Sequence, residues 1–247
     1  RRSMIVEADD LRNKRNKGSK EMSVLKDKPQ QLIDSMRSLG QDIKKLEDTI
    51  KDTNNKINNI MLKIPNIPQD KVPLGIDDSE NVILRQYGDI LEPSFSIKPH
   101  WEIGEELGII DFKRAVKISG TRFFVLKGQG AMLQRALISW MLDLHIKEHG
   151  YEEIYVPNIV NTETAIGSGQ LPKFSTESYR TSNGWWLIPT AEVPLTNLVA
   201  NTILNYEELP MRLCAVTQCF RSEAGSAGKD TTGMLRQHQF EKVEMVT

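Results

Sequence analysis

From Leu32 onward, apolar side chains recur at Leu32, Met36, Leu39, Ile43, Leu46 and Ile50, pass over Thr53, and resume at Ile57, Ile60 and Ile64. The steps alternate four and three, a heptad seam that is buried only when a second helix packs along it. The spacing predicts a rod opened by Pro29, at the first helical position where its missing N–H does no harm, and stopped by Pro65. At 1.5 Å per residue such a rod is on the order of 50 Å long. Lys51, Asp52, Asn54, Asn55, Lys56, Asn58 and Asn59 make its second half too polar for burial all round, so the seam points to a projecting arm rather than to a core helix of a bundle. A partner lies just upstream. Met4, Ala8, Leu11 and Arg15 repeat the step, and KGSKEMSVLKDK (17–28) reads as the turn of an antiparallel helical hairpin. The first helix then has about half the residues needed to cover the second, and the chain opens at Arg1 rather than Met, which predicts a sequence cut at its front.

Charge separates this arm from the rest. Residues 1–63 hold 15 Lys and Arg against 10 Asp and Glu, a net of +5; the remaining 17 against 23 leave −6. The contrast suggests a polyanionic partner for the first part alone, with a mixed-charge solvated face as the plainer alternative. No run approaches the roughly 18 apolar residues of a membrane span and no signal peptide opens the chain, so the expectation is a cytoplasmic protein without a membrane partner. Cys214 and Cys219 lack a C-x-x-C spacing and read as reduced thiols packed in a strand.

The expected division is an arm over 1–64, a connector over 65–100 rich in prolines, glycines and acids, and a core over 101–247. RFFVLKG (122–128) has strand character. AMLQRALISWMLDLHIKEHG (131–150) reads as a helix with Met132, Leu133, Ala136, Leu137, Trp140, Met141 and Leu144 on one stripe and Gly150 as its cap. YEEIYVPNIV (151–160) alternates like a strand, and Pro157 puts it at an edge or bulge. His145, Glu148 and His149 spell H-x-x-E-H, a zinc-ligand spacing on a helix. No third ligand follows, and the second histidine lies at a helix end where cations are favoured, so no metal site is expected.

The chemistry concentrates near the end. In strands, alternate side chains share a face. Arg236, His238, Phe240, Lys242 and Glu244 would share one; Arg221 and Glu223 sit two apart before the glycine-rich stretch AGSAGKDTTGML (224–235), and Thr190 and Glu192 two apart in LIPTAEVPL (187–195). Three strands each offering such a set would make a concave surface of arginines, carboxylates and a ring. Arginine forks hold phosphate oxygens, an aromatic face stacks on a purine, and carboxylates accept from amines. That is what a nucleotide beside a small cation would require, with a hairpin whose exposed face is merely salt-bridged as the plainer alternative.

CFRSEAGSAGKDTTGMLRQHQFEKVEM (219–245) resembles motif 2 of the class II aminoacyl-tRNA synthetases, in the form found in seryl-tRNA synthetases of the bacterial type. The helix and strand ending at Pro157 are similar to motif 1, GQLPKF (169–174) and PTAEVPL (189–195) resemble two further stretches, and the arm with RNKGSKE (15–21) at its tip is similar to the family's tRNA-binding coiled coil. The resemblance implies an α+β fold: a class II antiparallel β-sheet core flanked by helices, preceded by a long antiparallel coiled-coil arm. It implies ATP and L-serine as substrates, Mg²⁺ as cofactor, tRNA(Ser) as partner and a homodimer. By position, Arg221 would take the α-phosphate and serine carboxylate, Glu223 the adenine amine, Phe240 the adenine face and Arg236 the terminal phosphates, with Ser222 beside them. Thr190, Ala191, Glu192 and Glu244 would form the serine pocket. Which of Thr190, Glu192 and Glu244 takes the ammonium and which the hydroxyl stays open, Glu244 being the first candidate for the hydroxyl. The loop 224–235 would close over ATP and later over the tRNA acceptor end.

The implied reaction has two steps, formation of a seryl-adenylate and transfer of the seryl group to a terminal ribose hydroxyl of tRNA, without an enzyme nucleophile. The family's motif 3 does not appear before Thr247, so the sequence as given is expected not to complete a turnover. Two other readings stay open: a ligase that loads a carrier protein, and a tRNA-binding module without catalysis.

Overall fold

The computed structural model describes residues 1–25, 29–90, 92–224 and 232–247, which fall into two compact units, Arg1–Val72 and Pro73–Thr247.

In the first unit α1 (Arg2–Val24) pairs with α2 (Gln30–Met61). Arg12 of α1 bridges Asp9 and Glu47, both at 2.7 Å, while Gly18 faces Met36. Rising numbers on one helix meet falling numbers on the other, so the hairpin is antiparallel. Ala8 is fully buried and Ile43 is 3% exposed, which confirms the seam where the helices face each other. Past Thr53 the seam is open: Ile57, Ile60 and Ile64 are exposed. Three expectations need correction. Of the segment 17–28 expected to turn the chain, residues 17–24 belong to α1, which runs on through Gly18 to Val24, so 15–21 is helical rather than a tip; residues 26–28 lie outside the described residues. Gly18 serves close approach instead: a Cβ there would come within 2.6 Å of the Met36 sulfur. Pro29 is the N-cap rather than the first helical residue, its carbonyl accepting from Leu32 N at 3.0 Å, and α2 ends at Met61, ahead of Pro65.

In the second unit an extended segment, with a short 3-10 turn at Asp78–Glu80, leads into α3 (His100–Glu106) and α4 (Phe112–Ser119). α4 starts where Asp111 accepts from Arg114 N at 2.9 Å, the usual way to satisfy an orphan N–H. The run 122–128 forms no strand; it contributes one bridge, Ile110 to Leu126, and Arg122 takes a left-handed φ of 60°. α5 (Gln129–Lys147) follows, and His149 lies beyond it, its Nδ1 2.9 Å from His145 Nδ1. The stripe on α5 is not a buried one: Met132, Leu133, Leu137 and Trp140 are exposed, and Leu142 is the buried leucine. Pro157 splits its segment into two short strands, β1 (Glu152–Glu153) and β2 (Ile159–Val160).

After α6 (Thr162–Gly167) come β3 (Trp186–Leu187), α7 (Glu192–Asn197), β4 (Leu213–Phe220) and β5 (Gln239–Val246). β4 is central, paired antiparallel with β5 along its whole length and parallel with β1, while β2 and β3 form a second antiparallel pair. The sheet is thus not purely antiparallel. Val156, Ala191, Leu195, Leu213 and Ala215 form one core cluster against the β4 face that carries Ala215. Ala165, Leu171 and Trp186 form another. Each fully buried aliphatic side chain such as Leu195 contributes about 1.5–3 kcal/mol, enough to hold α7 in place under the sheet.

Candidate active site

The β4–β5 register decides which side chains can meet. Cys219 pairs with Phe240, Thr217 with Lys242 and Ala215 with Glu244, so all six share one face. Cys219 and Cys214 are both buried, as expected for strand-packed thiols. Burial pushes the Cys219 thiol up, with Lys242 and Arg221 acting the other way and Glu244 in the same sense. The opposite face carries Gln218 and Glu241, joined at 2.8 Å, with Gln134 of α5 also donating to Glu241.

Beyond β4 the chain continues through Arg221, whose N–H donates to the carbonyl of His238 at 3.0 Å. The Arg221 guanidinium lies over the Phe240 ring, 5.2 Å from its centroid. Arg236 Nη1 is 3.5 Å from Glu223 Oε2. Arg221, Glu223, Arg236 and Phe240 all line a cavity of about 830 Å³, whose apolar wall includes Leu126, Leu133 and Leu137. A volume of that size suits a nucleotide, and the mix of a mostly apolar lining with a few converging charges is that of a ligand site. Glu223 has a φ of 52°, which turns its backbone out of the strand.

Further along the same face Thr190, Lys242 and Glu244 form a triangle. Lys242 Nζ donates to Thr190 Oγ1 at 2.9 Å, the Thr190 hydroxyl donates to a Glu244 carboxylate oxygen, and Lys242 pairs with that same oxygen. Thr190 is buried.

Several expected positions differ. Arg221 and Glu223 lie past the end of β4, and Arg236 and His238 precede β5, so the shared face of the last strand holds only for Phe240, Lys242 and Glu244. Thr190 and Glu192 are not on a strand: Thr190 lies in the turn before α7, and Glu192 begins that helix. Pro194 explains why, since its missing N–H costs nothing in a first helical turn but would break a ladder. Ala191 is fully buried in the core, and the Glu192 side chain is exposed. Ser222 is occupied elsewhere, its N–H on the carbonyl of Glu177 at 2.9 Å and its hydroxyl on that of Thr176 at 3.0 Å. Of the loop 224–235, residues 225–231 lie outside the described residues.

Three participants carried no role in the sequence. Lys242 was on the right face by parity alone. Arg122 donates from Nη1 to the carbonyl of Glu223 at 3.1 Å, while its own carbonyl accepts from His238 N at 3.1 Å, so one residue ties both stems that bear the arginines. Tyr179 OH lies 3.0 Å from His238 Nδ1, and burial raises the phenol's pKa. Their sequence separations from the stems leave no local signal.

The N-terminal domain model of seryl-tRNA synthetases matches residues 1–68, and the class II core domain model of tRNA synthetases for G, H, P, S and T matches residues 174–247. A serine–tRNA ligase of Carboxydothermus hydrogenoformans is 49% identical over the whole chain, and one of Bacillus cereus is 50% identical over 87% of it. The chain spans 59% of the length of the first and 51% of the second. Among solved structures, a seryl-tRNA synthetase of Pyrococcus horikoshii complexed with ATP superposes with a TM-score of 0.87 at 35% identity, covering 99% of this chain and 60% of that one. A cytoplasmic serine–tRNA ligase of Naegleria fowleri in complex with AMP gives 0.80 at 25% identity, covering 99% of this chain and 61% of its own.

Proposed function

The chain belongs with the seryl-tRNA synthetases, whose N-terminal and class II core domains it carries, and on that premise we propose that the protein joins L-serine to tRNA(Ser) with ATP. The observation that carries the reading is the meeting of Arg221, Glu223, Arg236 and Phe240 around one cavity of about 830 Å³, Phe240 being on the strand face that also carries Lys242 and Glu244. ATP in that cavity would have its base against Phe240 and Glu223 and its phosphates between Arg221 and Arg236. Serine would lie toward Glu244, with its carboxylate near Arg221. A serine carboxylate oxygen then attacks the α-phosphorus, the bond to the β-phosphate oxygen breaks, and pyrophosphate leaves. In the second step a terminal ribose hydroxyl of the tRNA attacks the acyl carbon and AMP departs.

The protein's part is placement and charge. Two guanidinium groups offset phosphate charge as it shifts onto the leaving group. Mg²⁺ would arrive with the nucleotide and screen its phosphates. Among the described residues no group of three or more His, Cys, Asp or Glu gathers, and an ion that comes with ATP needs only one or two carboxylates beside the phosphates. Rejection of alanine would rest on the buried hydroxyl partner, because a site left with an unpaired polar group can disfavour the smaller analogue by roughly 10⁴-fold. The helical hairpin of residues 1–64, joined by the connector 65–100 to the core 101–247, would hold the tRNA, and the exposed Met132 and Trp140 of α5 would face a second copy in a cytoplasmic homodimer. Serine-dependent exchange of pyrophosphate into ATP tests the first step: its absence from the full-length protein would leave only a binding role.

A further inference from the structure

The turn 233–237 precedes β5 and carries Arg236. Both polar groups at its start are held. Met234 N–H donates to His100 Nε2 at 2.8 Å, and the Gly233 carbonyl accepts from Gln237 Nε2 at 2.8 Å, Gln237 being 4% exposed. Contact with α3 is equally tight. Gly233 has a φ of 80°, and a Cβ there would come within 2.4 Å of His100 Nε2 and 2.7 Å of Trp101. Only glycine fits, on grounds of both conformation and space. The His100 ring is itself braced edge-on by Trp101, with centroids 5.1 Å apart and planes at 80°. Accepting at Nε2 requires a neutral ring with its proton on Nδ1.

We propose that His100 is a positioning residue for the nucleotide subsite: through Met234 and Gly233 it fixes the turn that aims Arg236 into the cavity beside Glu223. An arginine reaches its ligand through a long, rotatable chain, so the placement of its backbone sets where the guanidinium can arrive. Displacement of about 1 Å at such a group can cost a hundredfold. The His100 bond runs to the turn that carries Arg236, whereas Thr190, Lys242 and Glu244 bond among themselves, so its influence falls on ATP rather than serine. The inference rests on the reading of this cavity as the ATP site.

The test is serine-dependent ATP–pyrophosphate exchange in the full-length protein carrying His100→Ala, His100→Phe or His100→Gln. Loss of one hydrogen bond at the turn should raise the KM for ATP roughly five- to tenfold in the Ala and Phe variants while the KM for serine holds. Glutamine, whose Oε1 can take the place of Nε2 as acceptor, should restore nearly wild-type behaviour. Phe keeps the bulk of the ring, so the comparison with Gln stands even if the Ala variant does not fold. An unchanged KM for ATP, an equal rise for both substrates, or a Gln variant as impaired as Phe overturns the role. A wild-type protein with no exchange removes the ATP reading of the cavity, and the role of His100 with it.

Discussion

Arg221 stands where β4 runs out, tied by its backbone to His238 and by its guanidinium to the Phe240 ring. Truncation would remove the group proposed to meet the α-phosphate without emptying a core position, since Arg221 is exposed. Arg221→Ala should therefore lower serine-dependent exchange by roughly 10²-fold or more with the melting temperature unchanged; near-normal exchange would refute the assignment. A second residue couples structure to pH. Asp111 is buried at the start of α4, where the Arg114 N–H, the Arg114 guanidinium and Lys127 hold its carboxyl at about 2, below its ordinary 3.8. Because the folded value lies below the unfolded one, its stabilisation is fully present above 3.8 and disappears as pH falls toward 2. Asp111→Asn keeps the capping oxygen but has nothing to protonate. Acid unfolding followed by circular dichroism should be shallower in that variant across this interval, and identical curves would show that Asp111 does not contribute.

Among the elements, the helical hairpin offers the cleanest contrast. Ile43 is 3% exposed and Ile60 is 61% exposed, though both lie on one heptad seam. Ile43→Ala should cost about 2–5 kcal/mol of the hairpin's stability by leaving a cavity, whereas Ile60→Ala should fall within about 0.5 kcal/mol. Urea unfolding monitored at the helical signal decides it; equal effects would mean that the seam is not the contact. This seam was readable because a period sustained over many turns has few competing explanations. Gly18 was misread because glycine signals a turn and a close helix approach alike, and only the position of Met36 distinguishes them. The run 122–128 and the stretch 187–195 were too short for periodicity to separate strand from loop or helix start. The candidate site followed the same rule. Phe240, Lys242 and Glu244 fell on one face because β5 is a long regular strand. His100, Arg122 and Tyr179 stayed hidden, since their contacts with residues 223–238 depend on loops whose paths no local pattern encodes.

At the scale of the whole molecule, charge and chemistry divide along the chain. The first 63 residues carry a net of +5 and the remainder −6, and the two compact units part at residue 72. The residues proposed for ATP and serine all belong to the second unit, which has its own buried clusters around Leu195 and Trp186. On the proposed reading adenylate formation draws on groups outside the hairpin, whereas a tRNA presents a phosphate backbone that the basic hairpin can meet through counterion release. Deleting residues 1–63 from the full-length protein should therefore leave serine-dependent exchange near its full rate while charging of tRNA falls by orders of magnitude. The intact protein's affinity for tRNA should also weaken steeply between roughly 50 and 200 mM salt, by more than the shortened one's. Loss of exchange along with charging would tie the hairpin to the first step. Charging of tRNA that survives the deletion would mean that the tRNA is not held by the basic arm, whereas an intact protein that exchanges pyrophosphate but charges no tRNA is the outcome expected of a ligase acting on a carrier protein.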